Sequence, residues 1–235
     1  MNEICVSVAA PSKKMLLDLI DRALKESADF VEIRFDYLAL KDIDATLEEL
    51  KPIANRAIFT LRPVSNGGRF NGTYNERILL LKKIASFSPM LVDVELETVR
   101  HSAKIIDYLK NQNTHFMISW HDFEGTPPKI KLVKRLNEMC EYSDTIKIVT
   151  TAKKTEDVWR ILDLYSIENS SSSSLIAFAM GDVGIISRLL CTMYGSAPFT
   201  YASLDRPIAP GQVTIRTMRN LYSGIKKNFD RHDGK

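Results

Sequence analysis

The sequence predicts one (β/α)₈ barrel of the TIM class, a single domain over residues 1–235. Short β-rich runs alternate with amphipathic helical runs eight times. Each pair takes roughly 25 to 30 residues, and no linker or composition shift divides the chain. A total length of 235 residues suits eight such units closed on themselves. An open doubly wound sheet is the competing arrangement, yet no Gly-x-Gly-x-x-Gly run follows the first strand.

The first strand is read in ICVSVAA, and SKKMLLDLIDRALKESA behind it repeats Leu16, Leu17, Ile20 and Leu24 at helical spacing. FVEIRFDYL and DATLEELKPIA form the second unit, RAIFTLR and NERILLLKKIASF the third. MLVDVEL leads to HSAKIIDYLK, and HFMISW to PKIKLVKRLNEMC. TIKIVTTA is followed by TEDVWRILDLYS, SLIAFAM by GIISRLLCTMYG, and FTYASL by QVTIRTMRNLYSGIKKNF. The NSSSSS run from Asn169 to Ser174 is expected to be a flexible turn before the seventh strand.

Two strands carry charge on one face only. In VEIRFD, Glu32, Arg34 and Asp36 oppose Val31, Ile33 and Phe35; in VDVELE, Asp93, Glu95 and Glu97 oppose Val92, Val94 and Leu96. On a surface sheet the charged face would simply be wet. Here the following helices must cover the apolar faces, which turns the charges into the barrel, where charge persists only if paired or used.

The same alternation turns Lys147, in TIKIVTT, inward beside Thr145 and Val149. One reading is a structural lysine paired with Asp93 or Glu95. The other is a buried amine whose weakened hold on its proton makes it a nucleophile toward a carbonyl. His121 closes the fifth strand in ISWHDFEGTP, at the end where barrels keep reactive groups, and has the proton affinity of a general base. It could equally be a loop histidine packed on Trp120. MGDVGIISR brings glycines, Ser187 and Arg188 to a helix start, a turn able to hold an anion, and the Arg188 fork fits a carboxylate. RPVSNGGR and IAPGQ are Gly/Pro-rich mouth loops, the second part of SLDRPIAPGQ, a segment suited to close over a ligand.

Composition narrows the field. Thirty-two basic against 29 acidic side chains give a formal charge of +3, too slight and too scattered to favour nucleic acid or an anionic membrane. Cys5, Cys140 and Cys191 lack Cys-x-x-Cys spacing and suit a reducing cytoplasm. No stretch reads as a membrane span or a signal peptide. No histidine pair has metal-ligand spacing, so neither metal nor other cofactor is expected.

As an ordered set, EIRFD, TLRP–NGG, DVELE, SWHDFEGTP, IKIV, MGDVGIISR and APGQ resemble the type I 3-dehydroquinase family over the whole chain. The resemblance implies a metal-free barrel that dehydrates 3-dehydroquinate to 3-dehydroshikimate through a Schiff base. It makes Lys147 the imine-forming lysine and His121 the general acid and base. Arg188 would take the substrate carboxylate and Gln212 would line the pocket, while Glu32, Arg34 and Arg62 would hold ring hydroxyls and the reacting end. A homodimer is implied as well. Two positions depart from the pattern: Asn66 stands where many members carry a glutamate beside the catalytic histidine, and Ile208 where many carry a lid serine. A Schiff-base aldolase of a small keto acid and a non-catalytic acid-binding barrel are the rival readings.

Overall fold

The computed structural model describes residues 2–167 and 174–232. Its eight strands are β1 (Glu3–Val8), β2 (Phe30–Arg34), β3 (Ala57–Thr60), β4 (Leu91–Glu95), β5 (Phe116–His121), β6 (Thr145–Thr151), β7 (Ser174–Met180) and β8 (Phe199–Ala202). All neighbouring pairs are parallel, in the order β7-β6-β5-β4-β3-β2-β1-β8, which is a nearly closed (β/α)₈ barrel. The helices between them are α1 (Lys13–Lys25), α2 (Ile43–Leu50), α3 (Tyr74–Ala85), α4 (Leu96–His101), α5 (Lys104–Asn111), α6 (Lys129–Cys140), α7 (Thr155–Leu162) and α8 (Ile185–Met193). The last helix is α9 (Ile215–His232).

Periodicity explains which faces meet. In α1, Leu16, Ile20 and Ala23 are buried, one stripe at i, i+4 and i+7 against the sheet. Thr73 and Glu76 close a reciprocal capping box that sets the start of α3. Along the strands, Ile33, Val92, Val94, Ile118, Ile146 and Ile148 point outward under the helices and are fully buried. The alternate positions form a polar interior at the C-terminal end, where Glu32, Asp93, Ser119 and Lys147 are all buried and Ser119 lies opposite Lys147 in the β5–β6 register.

Three differences from the sequence reading concern boundaries. The strand in FVEIRFDYL stops at Arg34, and Phe35–Tyr37 turn as a 3₁₀ segment. The strand in MLVDVEL stops at Glu95, where α4 begins, so Leu96 and Glu97 are helical. The expected HSAKIIDYLK helix is α5, starting at Lys104, and α4 is an additional short helix ahead of it. Within NSSSSS, residues 169–173 lie outside the described residues, and Ser174 opens β7. No described helix is long and apolar enough to cross a membrane.

Candidate active site

The strand C-termini and their loops enclose a cavity of about 660 Å³, part of it open to solvent. All seven residues singled out in the sequence line it: Lys147, His121, Glu32, Arg34, Arg62, Arg188 and Gln212. Residues as far apart in sequence as Ser7 and Gln212 share this one site.

Lys147 rises from β6 and is 4% exposed. Its Nζ lies 3.3 Å from Asp93 Oδ2 and 3.4 Å from Glu32 Oε1, and 4.1 Å above the Tyr201 ring. Of the two partners expected for it, Asp93 is in place and Glu95 is not; Glu32 completes the pair. Glu32 also accepts from Ser7 Oγ at 2.7 Å and from Thr60 Oγ1 at 3.1 Å. Burial alone would raise the Glu32 carboxyl, but the Lys147 and Arg34 charges outweigh it and lower it.

Arg62 ties this lysine to the histidine. Its Nη2 donates to Asp93 Oδ2 at 2.6 Å, and its Nη1 donates to Ser119 Oγ at 2.9 Å and sits 3.2 Å from Glu95 Oε1. Ser119 Oγ in turn donates to Asp93 Oδ1 at 2.5 Å. Burial works to raise the Asp93 carboxyl, yet Arg62 and Lys147 hold it well below the usual carboxylate range. Glu95 is braced from behind by Arg77, which also donates to the Leu61 carbonyl at 2.9 Å.

His121 is the last residue of β5 and turns inward, while Trp120 faces out beneath Arg135. Its Nδ1 lies 3.5 Å from Arg62 Nη1. A guanidinium only donates, so Nδ1 is the acceptor and the neutral ring carries its proton on Nε2. Burial, then the Arg62 and Lys147 charges, push its pKa well below the ordinary histidine value, against an opposing pull from Asp93. The ring is therefore a neutral base at pH 7.

Arg34 and Arg188 differ in what they have left to offer. Arg34 is held in a two-pronged pair with Asp36, both bonds 2.8 Å, and Asp36 also accepts from Arg69 N at 3.0 Å. Arg188 is 1% exposed and has no carboxylate partner among the described residues. Its Nη2 donates to the Pro210 carbonyl at 3.1 Å, its Nε has no partner, and its guanidinium stands 4.4 Å over the Phe178 ring. Burial lowers its pKa from 12.5 to about 10. Ser187, its neighbour in the expected anion turn, is used structurally instead: it accepts from Ala179 N and donates to the Gly184 carbonyl.

The loop from Ser203 to Gln212 lies across the mouth. Gln212 Oε1 accepts from Ile208 N at 2.8 Å and Ala209 N at 3.1 Å, which shapes the loop, and Nε2 reaches Ser7 Oγ at 3.4 Å. Gly211 has φ +73°, and a Cβ there would meet the Gly181 carbonyl oxygen at 2.5 Å. Ile208 adds apolar cover to the cavity. On the far rim Asn66 donates to Glu97 Oε2 at 3.1 Å. The site residues that patterning did not single out are Ser7, Ser119 and Tyr201, small or aromatic side chains whose place depends only on closure of the barrel. No three His, Cys, Asp or Glu side chains among the described residues are grouped to hold a metal ion.

A family model described as type I 3-dehydroquinase matches residues 4–228. A 3-dehydroquinate dehydratase from Desulfotalea psychrophila is 33% identical over 225 residues, 94% of this chain and 97% of that protein. The solved 3-dehydroquinate dehydratase of Geobacillus kaustophilus has a TM-score of 0.88 at 26% identity, covering 97% of this chain and 92% of its own. The type I enzyme of Clostridium difficile, solved with covalently modified comenic acid, has a TM-score of 0.86 at 25% identity, covering 96% and 92%.

Proposed function

The chain belongs to the type I 3-dehydroquinase family, and on that premise we propose that it is a hydro-lyase converting 3-dehydroquinate to 3-dehydroshikimate and water, with Lys147 forming the imine and His121 moving the protons. The reading is carried by one observation: a buried lysine and a neutral histidine on adjacent strands face the same cavity, linked through Asp93 and Arg62. Lys147 gives up its proton, attacks the ring ketone and expels water to form the imine. The protonated imine draws electrons from the neighbouring carbon, and His121 removes its proton as the enamine forms. The enamine expels the β-hydroxyl, which leaves as water with the proton His121 took up. Hydrolysis of the product imine returns the lysine.

Arg188 supports the substrate side of this reading. A buried guanidinium without a carboxylate is costly, and a carboxylate on the substrate supplies the missing partner. Gln212, Glu32, Arg34 and Arg62 provide donors and acceptors for the ring hydroxyls. The Clostridium difficile relative, solved with covalently modified comenic acid, is consistent with covalent chemistry at this site. A homodimer completes the proposal, supported by the exposed apolar side chains of Trp159, Ile186 and Tyr194 on or beside α7 and α8; light scattering tests it.

Borohydride added with 3-dehydroquinate should inactivate the protein and leave a reduced adduct on Lys147. Ultraviolet absorbance of the conjugated product should rise in untreated samples. No rise, or an adduct on Lys153 or Lys154 instead, would overturn the assignment.

A further inference from the structure

Phe123 is an apolar ring left half in water at the rim of the cavity, 48% exposed, where core packing gives it no role. Its ring is nearly parallel to the His121 imidazole, with centroids 6.0 Å apart and planes 13° apart. The tip of the ring reaches Gly67, at φ +74°, where a Cβ would come within 2.4 Å of the ring's Cζ. The left-handed φ favours glycine there, and any side chain would push the ring aside.

The backbone that carries the ring is pinned. Asp122 Oδ1 accepts from Glu124 N at 2.9 Å and Gly125 N at 3.0 Å, a tight Asx turn. Asp122 N donates to the Val149 carbonyl at 2.8 Å, and Thr151 Oγ1 donates to the Asp122 carbonyl at 2.9 Å. Both bonds fasten the turn to β6, the strand that carries Lys147.

We propose that Phe123 is a positioning residue for His121: seated against Gly67, its ring covers the imidazole and keeps water from it. The proposal rests on the reading of His121 as the proton-transfer group. An apolar ring against an imidazole disfavours the charged form, because the imidazolium loses hydration that the ring cannot replace. The charged groups facing His121 are Arg62 beyond β3, Lys147 on β6 and Arg34 on β2, which oppose protonation, and Asp93 on β4, which favours it. With these fixed by their own ion pairs, the cover decides how far into acid the base form persists.

The test is a nitrogen NMR titration of the intact protein, with the His121 signals assigned by their loss in His121→Gln. Phe123→Ala should shift the His121 protonation equilibrium by about tenfold toward the imidazolium, and the acid limb of kcat/KM should move to higher pH with it. Phe123→Leu should shift both by less, and Phe123→Tyr should restore wild-type behaviour. An unchanged His121 midpoint in Phe123→Ala and Phe123→Leu, with wild-type circular dichroism, would overturn the proposal. Wild-type turnover by His121→Ala would sink the proton-transfer reading separately, since the titration reports on the contact whatever the chemistry.

Discussion

Arg188→Met should make the protein more stable and its substrate binding worse, two effects of opposite sign from one side chain. In the wild type the guanidinium is 1% exposed, with a single hydrogen bond to the Pro210 carbonyl and no carboxylate partner among the described residues. Burial brings its pKa from 12.5 to about 10. That drop corresponds to about 3 kcal/mol, at roughly 1.36 kcal/mol per tenfold change in proton affinity. The group is basic and its folded value is the lower one, so the folded state bears the full penalty at any pH below about 10. At pH 7 the penalty is complete. Methionine fills the slot with a flexible apolar chain. After subtracting the lost contacts to Pro210 and Phe178, a gain of about 1 to 2 kcal/mol should remain in urea unfolding without ligand. Binding moves the other way. Charge-assisted bonds to a carboxylate are worth roughly 1.5 to 3 kcal/mol each, so KM for 3-dehydroquinate should rise at least about tenfold. Arg188→Lys keeps the charge without the planar fork, and should weaken binding without the stability gain. A destabilised Arg188→Met, or an unchanged KM, would refute the reasoning that this charge is held in reserve for an anion.

Three further outcomes follow from the same geometry. His121→Ala should lose about two to four decades in kcat while still accumulating a borohydride-trapped adduct on Lys147; near-wild-type turnover would move the proton transfer elsewhere. His121 also predicts a pH window for stability. Its folded pKa is depressed, so stability falls as pH drops below the unfolded value of about 6.5 and toward the folded one. Glu32 and Asp93 are depressed too, but as carboxylates they add their losses only below about pH 4. Urea unfolding at pH 7 and pH 5 should therefore show a smaller loss for His121→Gln than for the wild type, and equal losses would contradict the neutral ring. Gly211→Ala forces a Cβ against the Gly181 backbone, so hydrogen exchange over residues 203–212 should quicken and kcat/KM should fall with the barrel intact. Unchanged exchange there would show that the loop does not need this close approach.

Much of the barrel was legible because its two periodicities are local. A strand buried on one face and a helix with one apolar stripe announce themselves within ten residues. Arg188 was legible for the same reason, since its turn follows a strand and begins a helix. The ends of β2 and β4 were not. Alternation continues through Phe35–Asp36 and Leu96–Glu97 although the chain has already turned. No glycine or proline marks either break, and the causes are tertiary: Arg34 folds back onto Asp36, and α4 packs directly on β4 and β5.

The electrostatics were half legible, and the missing half explains what a buried lysine needs. Inward-facing charge on the second and fourth strands showed that Lys147 would have acidic company, without showing which oxygens would reach it. Glu32 lies 115 residues before Lys147 and Asp93 lies 54 before it. Closure of the barrel alone brings both within 3.4 Å. Each carboxylate is in turn shared: Glu32 with Ser7 and Thr60, Asp93 with Arg62 and Ser119. Sharing matters chemically. A carboxylate devoted to Lys147 alone would hold it more tightly than one that already has other donors. Ser7 and Ser119 therefore bear on how firmly the lysine is held although neither carries charge. A polar residue on the inner face of a barrel strand is uninformative alone, and becomes informative once its opposite neighbours are known.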